Sequence, residues 1–208
     1  MIKENKLQDA KKLINDFMSQ KEDNDWRLHS WNELKLQIAQ KENDIYEIRR
    51  ISFKFIESRF DIENYDIYKT AFSKEEWTEK AEELIRHYEK QNTGNWFNSS
   101  IADVLQVEKQ EERLMEYIEK YLSVDNLEKY YTTFSDSFPE KTLVLFRQAI
   151  DRYAQNTGRN IYERIVILFE KMIKIEGGSK LIKEMINQYK IIYKNRKAMM
   201  EIMNWFKK

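Results

Sequence analysis

The amino-acid sequence predicts an all-α protein built from antiparallel helix hairpins, and three observations support this. Only 4 Gly and 1 Pro occur among 208 residues, and these two residue types dominate tight turns and strand ends. Apolar residues recur at steps of three and four, which lines one face of a helix, and no long stretch alternates with period two. The 12 Tyr, 11 Phe and 5 Trp supply ample apolar surface for a core. We therefore expect a single domain over 1–208.

The helical spacing can be followed from the N-terminus. It holds over 7–18, and after a polar break it resumes over 26–39. Asn43-Asp44 then marks a tight turn, because short polar side chains favour turns, and the spacing continues over 45–56. A hairpin around a short polar turn, followed by Tyr46 to fill the gap between its helices, resembles a tetratricopeptide-type unit. We expect irregular antiparallel helix-hairpin repeats that form a tetratricopeptide-like α-α superhelix.

A helix-start motif stands in the middle of the chain. A short segment is expected over 67–72, after Asn64. Ser73 and Glu76 then lie three positions apart, the spacing of a capping box, in which the hydroxyl accepts the glutamate amide and the carboxylate accepts the serine amide. The next helix is therefore predicted to begin here and to carry apolar residues as far as Tyr88.

The C-terminal half divides into shorter helical stretches. Pro139 is placed to begin a helix, because its missing amide would be unpaired in the first turn. Glycines are expected to end two helices, Gly158 after the one that Pro139 begins and Gly177-Gly178 as the C-cap of the following one. The apolar stretches of this half lie at 96–107, 114–122, 127–134, 143–153, 161–172, 181–192 and 198–206.

Short motifs in the last third of the chain carry a family resemblance. They are Phe138-Pro139, Leu145-Phe146-Arg147-Gln148-Ala149-Ile150, Gly158-Arg159-Asn160-Ile161-Tyr162, Phe169-Glu170-Lys171-Met172, Gly177-Gly178 and Arg196-Lys197-Ala198-Met199-Met200-Glu201. This region, 138–206, resembles the C-terminal helical region of bacterial SWIM zinc-finger proteins, and 31–36 with Asn43-Asp44 resembles the looser repeats before it. The family's zinc site needs Cys, and the chain has none. The resemblance therefore implies an architecture without a metal role, in a fragment lacking the zinc finger or a relative without it.

Charge is spread unevenly along a chain whose formal net charge is zero. Segment 171–208 holds ten Lys and Arg against three Asp and Glu, an excess of +7, so the remainder carries −7. Such asymmetry is typical of an interaction tail, and equally of an array whose one end packs against the other.

Cations and aromatic rings interleave at this basic end. Interleaving of this kind can track a phosphate backbone and stack bases. It is also typical of a solvated final helix pair, because a terminal repeat needs a polar outer face. In either case we expect the cations to face solvent. The candidate nucleic-acid residues are Lys190, Lys194, Arg196 and Lys197, next to Tyr189, Tyr193 and Trp205.

The two histidines are the next candidates for chemistry. Asp25, His29 and Glu33 follow each other at steps of four, so a continuous helix could bring them to one divalent cation. Acids and histidines at this spacing are common on solvated faces, and Asp25 suits a helix cap, so we expect no metal site. His87, one turn after Glu83, is expected to be a surface residue in an ion-pair-rich helix.

No pattern in the sequence predicts catalysis. The pairs Glu75-Glu76 and Glu111-Glu112 are interpreted as charges that the helix dipole favours near helix N-termini. Gly177-Gly178 lacks the Lys-Ser/Thr of a phosphate-binding loop. We expect no enzyme activity, no catalytic residue and no cofactor.

The same features give expectations for location and partner. The chain has no run of about eighteen apolar residues, and 1–20 lacks the unbroken apolar stretch of a signal peptide. With the absence of Cys, which suits a reducing compartment, this predicts a cytoplasmic protein without a membrane partner. The leading hypothesis is a non-catalytic helical-repeat module that binds a protein or peptide. The alternative is nucleic-acid association through 171–208.

Overall fold

A computed structural model describes residues 4–18 and 27–206. Every regular element in these residues is helical, which confirms the all-α prediction. A 3-10 turn at Tyr131–Thr133 follows the eighth helix. In chain order the helices are α1 (Glu4–Met18), α2 (Arg27–Glu42), α3 (Ile45–Ile56), α4 (Ile62–Thr70), α5 (Lys74–Gln91), α6 (Ser99–Val107), α7 (Glu111–Lys120), α8 (Val124–Tyr130), α9 (Pro139–Tyr153), α10 (Arg159–Met172), α11 (Gly178–Ile192) and α12 (Lys197–Trp205).

Tertiary contacts divide the chain into two compact units, 1–101 and 102–208, with the boundary inside α6. The expectation of one domain over 1–208 stays a prediction, and each unit is described by itself. Among the described helices, none is both long enough and apolar enough to cross a membrane.

The N-terminal unit packs consecutive helices against each other, α1 on α2, α2 on α3 and α3 on α4. The capping box is confirmed: Ser73 Oγ accepts from the Glu76 amide at 3.2 Å, and Glu76 Oε2 accepts from the Ser73 amide at 2.9 Å. The segment expected over 67–72 begins earlier, as α4. Asp61 is the reason, since its carboxylate accepts the Asn64 amide at 3.0 Å and so caps the helix.

The predicted hairpin of α2 and α3 forms, but Tyr46 does not fill the gap between its helices. Asp44 caps α3 by accepting the amide of Glu47 at 3.1 Å. Tyr46 is 75% exposed, so the expectation that it fills the gap between the helices is wrong. Smaller side chains fill that gap, because α2 and α3 approach through a face of aliphatic residues. They are Leu36, Ala39, Ile48 and Ile51, joined by Ala71.

The C-terminal unit is centred on α10, which contacts α9, α11 and α12. Pro139 is the first residue of α9, as predicted. Met199 and Met203 of α12 are fully buried, which fits their interpretation as core residues. The side chain of Trp205 lies outside the described residues. The fully buried centre of this unit includes Phe146, Phe169, Met172 and Met185.

The glycines expected at helix ends lie at helix starts. Gly158 is the N-cap of α10 with φ +144°, and Gly177 is the N-cap of α11 with φ +82°. Glycine adopts these angles without the strain that a Cβ brings. Gly178 is the first residue of α11 and lies so close to α10 that a Cβ would be 1.8 Å from the Met172 carbonyl oxygen. The C-cap interpretation of Gly177-Gly178 is therefore wrong.

Candidate interaction surfaces

Side chains from other helices close several helix C-termini, and this decides which cations are available for binding. The last carbonyls of a helix have no partner within it and carry the negative end of the helix dipole. The Arg49 Nε donates to the Ala71 carbonyl at the end of α4, at 2.8 Å. The same guanidinium lies 4.0 Å from the centre of the Phe72 ring. Two predicted surface residues, Arg196 and His87, have this kind of role.

Arg196 is a structural residue. Its guanidinium donates to the carbonyls of Ala154 at 2.6 Å, Asn156 at 3.1 Å and Gln155 at 3.2 Å, just past the end of α9. It also lies 4.2 Å from the centre of the Tyr193 ring. The expectation that Arg196 faces solvent is wrong, because the carbonyls at the end of α9 bind its donors.

The other three predicted nucleic-acid residues are placed differently from one another. Lys190 of α11 is half-buried, and its Nζ donates to Asn204 Oδ1 at 2.5 Å. Lys194, between α11 and α12, and Lys197, at the start of α12, are exposed. Of the four, only these two present a charge openly to solvent.

His87 is half-buried against the end of α3. Its Nε2 lies 2.8 Å from the Glu57 carbonyl oxygen, to which Gln91 Nε2 also donates at 2.9 Å. The neighbouring Tyr88 hydroxyl donates to the Ile56 carbonyl at 2.5 Å. His87 lies in a helix with ion pairs, as expected, but it is half-buried and contacts the end of a neighbouring helix instead of facing solvent fully.

The sequence prediction that no metal site is present concerns Asp25, His29 and Glu33. His29 and Glu33 form an exposed pair with 3.5 Å between Nε2 and Oε1, and Asp25 lies outside the described residues. Over 4–18 and 27–206, no three His, Asp or Glu side chains are close enough together to hold a metal ion.

An open apolar groove lies between α10 and α12, and we call it the C-terminal groove. Its volume is about 480 Å³. Ile167 is 43% exposed there, although it is a large aliphatic residue. Phe206 lies at one end, with its ring centre 5.5 Å from that of buried Phe169. The groove is lined by Val166, Ile167, Ile202 and Phe206, with Arg159, Glu163 and Glu201 at its rim.

The rim charges are not balanced. Arg159 Nε contacts Glu163 Oε1 at 3.0 Å, so these two charges offset each other. Glu201 is exposed and forms no ion pair with any residue that the structure describes. The groove therefore combines an apolar floor with one unpaired carboxylate.

A second groove of about 450 Å³ lies along α11, and Phe206 lines this groove as well as the C-terminal groove. It is lined by Ile173, Ile182 and Ile186, but also by the polar side chains of Ser179, Lys183 and Asn187. Its mixed lining is less suited to an apolar partner than that of the C-terminal groove.

Sequence reasoning did not find either groove. Helical periodicity marks Val166, Ile167 and Ile202 as apolar, but it does not say which helix α12 packs against. The packing of α12 against α10 is a tertiary contact that the local sequence does not specify.

A scan against protein-family models finds no match to the chain. Searches of curated proteins and of solved structures find no match either. The resemblance of 138–206 to the SWIM zinc-finger proteins stays a prediction.

Proposed function

We propose that this protein is a non-catalytic helical-repeat interaction module, whose C-terminal groove docks an amphipathic helix from a protein partner. One observation carries the proposal. Val166, Ile167, Ile202 and Phe206 line a single open groove of about 480 Å³. Grooves of this kind receive the apolar face of a helix in known recognition modes. The tetratricopeptide-like superhelix remains part of the proposal, supported by the packing of consecutive helices within each unit.

The size and charge of the groove define the expected occupant. The α10 side of the groove runs from Arg159 to Ile167, which is about 12 Å at 1.5 Å per residue. This length suits two to three turns of a helix, with apolar anchors at positions i, i+3 or i+4, and i+7. Glu201 at the rim favours a Lys or Arg beside those anchors. We therefore propose a basic amphipathic helix.

The two groups whose pKa values are shifted furthest support a non-catalytic role. Burial, together with a hydrogen bond to Asp151 at 2.6 Å, raises the pKa of Tyr189 above its ordinary value. Burial and a hydrogen bond to Asp103 at 2.7 Å raise the pKa of Tyr130 in the same direction. Both hydroxyls are neutral donors between helices, and a structural hydrogen bond accounts for each displacement.

Site-specific photo-crosslinking tests the docking proposal. A benzophenone amino acid at position 167 is expected to give a discrete adduct in cells of the source organism, because this position lies inside the groove. The control carries the same group at position 144, where Val144 is 52% exposed on α9 and does not line the groove. Adding Glu201→Lys to the first variant is expected to weaken the adduct. Identical adducts from positions 167 and 144, or none from 167, would contradict the proposal.

Nucleic-acid association through 171–208 is the alternative. Its support is the local excess of +7 and the exposure of Lys194 and Lys197. We expect no binding to single- or double-stranded oligonucleotides at roughly 0.01 M salt, where the Debye length is about 30 Å and electrostatic association is strongest. Binding that weakens steeply with salt, and whose salt slope flattens in Lys194→Ala/Lys197→Ala, would favour the alternative.

A further inference from the structure

A second kind of groove lies in the N-terminal unit, between α3, α4 and α5, and we call it the aromatic-basic groove. Its volume is about 390 Å³, within the range of small-molecule sites. Phe53 of α3 and Tyr68 of α4 contribute rings to the groove, and α5 contributes the His87 ring together with charged side chains. The lining residues are Phe53, Tyr68, Lys80, Glu83, Leu84, Arg86, His87 and Lys90.

The aromatic side chains of the groove contact one another, with ring planes inclined by 44° between Phe53 and Tyr68 and by 62° between Phe53 and His87. The Phe53 ring lies between Tyr68, at 5.7 Å between ring centres, and His87, at 5.5 Å. The His87 bond to the Glu57 carbonyl fixes its ring, and Tyr68 packs edge-on against Phe72 at 4.9 Å. Burial raises the pKa of the Tyr68 phenol, which is neutral near pH 7 even at its ordinary value. A planar ligand would meet rings whose positions are already fixed by their contacts with other side chains.

The charged side chains that line the groove leave an excess of positive charge, because Lys80, Arg86 and Lys90 outnumber Glu83. Lys80 Nζ donates to Glu83 Oε2 at 2.7 Å, so these two residues offset each other. Arg86 and Lys90 are exposed, and neither forms an ion pair with another described residue. They lie four residues apart, on adjacent turns of the helix. A guanidinium and an ammonium placed in this way match the oxygens of a phosphate.

Glu83 adds a hydrogen-bond acceptor on the α5 side of the groove, three residues before Arg86. One of its oxygens binds Lys80, and the other accepts no hydrogen bond from a described residue. The distance along α5 from Glu83 to Lys90 is about 10 Å at 1.5 Å per residue. A groove that offers rings, an acceptor and cations suits a ligand with a planar ring, hydroxyl donors and a phosphate.

We infer that the aromatic-basic groove binds a nucleoside monophosphate. The base lies against Phe53 and Tyr68, a ribose hydroxyl donates to Glu83, and the phosphate is held by Arg86 and Lys90. Phosphate alone would not use the rings, and an aryl phosphate such as phosphotyrosine would not use the Glu83 acceptor. The inference concerns a different unit from the C-terminal groove, and it is independent of the docking proposal.

Titration calorimetry of the full chain tests this site, with adenosine, guanosine, cytidine and uridine monophosphates as probes. At least one is expected to bind about tenfold more tightly than its nucleoside and than inorganic phosphate, because hydrogen bonds to charged groups contribute on that scale. Arg86→Gln/Lys90→Gln is expected to weaken binding by about tenfold or more. The matched control, Lys174→Gln/Lys180→Gln, removes two exposed lysines from the other unit and is expected to bind like the wild type.

Three results would overturn the inference. The first is the absence of binding by all four nucleotides, and the second is equal binding of phosphate and nucleotide. The third is tighter binding of phosphotyrosine than of any nucleotide, which would assign the groove to aryl phosphates. Because the charge variant changes only exposed side chains, its helical circular dichroism and melting temperature are expected to match those of the control. Glu83→Gln gives a second readout, since it is expected to reduce the preference for ribonucleotides over 2′,3′-dideoxynucleotides without weakening phosphate binding, because it removes a negative charge from the groove.

Discussion

Replacing Gly178 with alanine is expected to lower the free energy of unfolding by about 3 kcal/mol, at the upper end of the usual cost of overpacking. In an ordinary helix the same change is favourable by up to about 1 kcal/mol. At Gly178 the clash outweighs this gain, because the new Cβ would lie 1.8 Å from the Met172 carbonyl oxygen and 2.7 Å from its carbonyl carbon. Backbone atoms cannot move aside by a rotamer change, so α10 and α11 would have to separate. Urea unfolding followed by circular dichroism measures the loss.

Gly177→Ala is the matched control for this prediction. A Cβ at Gly177 has room, since its nearest neighbour would be Leu143 Cδ1 at 3.5 Å, but φ is +82°. The expected loss is about 1 kcal/mol from backbone strain alone. If Gly178→Ala were as stable as the wild type, or more stable than Gly177→Ala, the close approach of α11 to α10 would be wrong.

Arg196→Ala is expected to lower the free energy of unfolding by about 2 kcal/mol, within the usual range for charged hydrogen bonds. The side chain is half-buried and binds three carbonyl groups past the end of α9. Removing it leaves these carbonyl oxygens with water in place of the guanidinium. It also takes away a positive charge near the negative end of the α9 dipole. Thermal unfolding monitored at the helical circular dichroism band measures the effect.

Lys194→Ala and Lys197→Ala are the controls for Arg196, because both side chains are exposed. Each is expected to change stability by no more than about 0.5 kcal/mol. Arg196→Lys is expected to restore only part of the loss, since an ammonium cannot reproduce the planar fork of the guanidinium. If Lys194→Ala and Arg196→Ala were equally stable, the structural role of Arg196 would be wrong. Arg196 would then belong with the exposed cations that the sequence predicts.

Local sequence was sufficient for most of the helices and for some of their starts. The Ser73 capping box and the Pro139 start depend on residues within one turn of each other, so their chemistry can be read directly. Asp61 was missed, although Asn64 stands at the same three-residue spacing. A helix start that is capped by Asp alone has a weaker sequence pattern than a reciprocal capping box, because the box needs two specific residues three positions apart.

The helix ends could not be predicted in the same way, because their partners are distant in sequence. Arg196 reaches Ala154 across 42 positions, and His87 reaches Glu57 across 30. Glycine is equally ambiguous, since the positive φ of Gly177 suits the end of one helix or the approach to the next. Which of these roles occurs depends on how α10 and α11 pack.

Both proposed binding sites are tertiary features for the same reason. The C-terminal groove exists because α12 packs against α10. The aromatic-basic groove exists because α3 and α4 bring Phe53 and Tyr68 to the face of α5 that carries Arg86 and Lys90. Periodicity can mark a side chain as apolar or charged, but it does not say which helix lies opposite.

Amide hydrogen exchange of the full chain, with and without the partner captured at position 167, tests the docking proposal most directly. Docking in the C-terminal groove is expected to slow exchange in α10 from Arg159 to Ile167 and in α12 from Glu201 to Trp205, because a bound helix suppresses local opening there. Exchange in α5 is expected to be unchanged. Protection confined to 1–101, or protection of Lys190–Lys197 without α10, would contradict a docking site between α10 and α12.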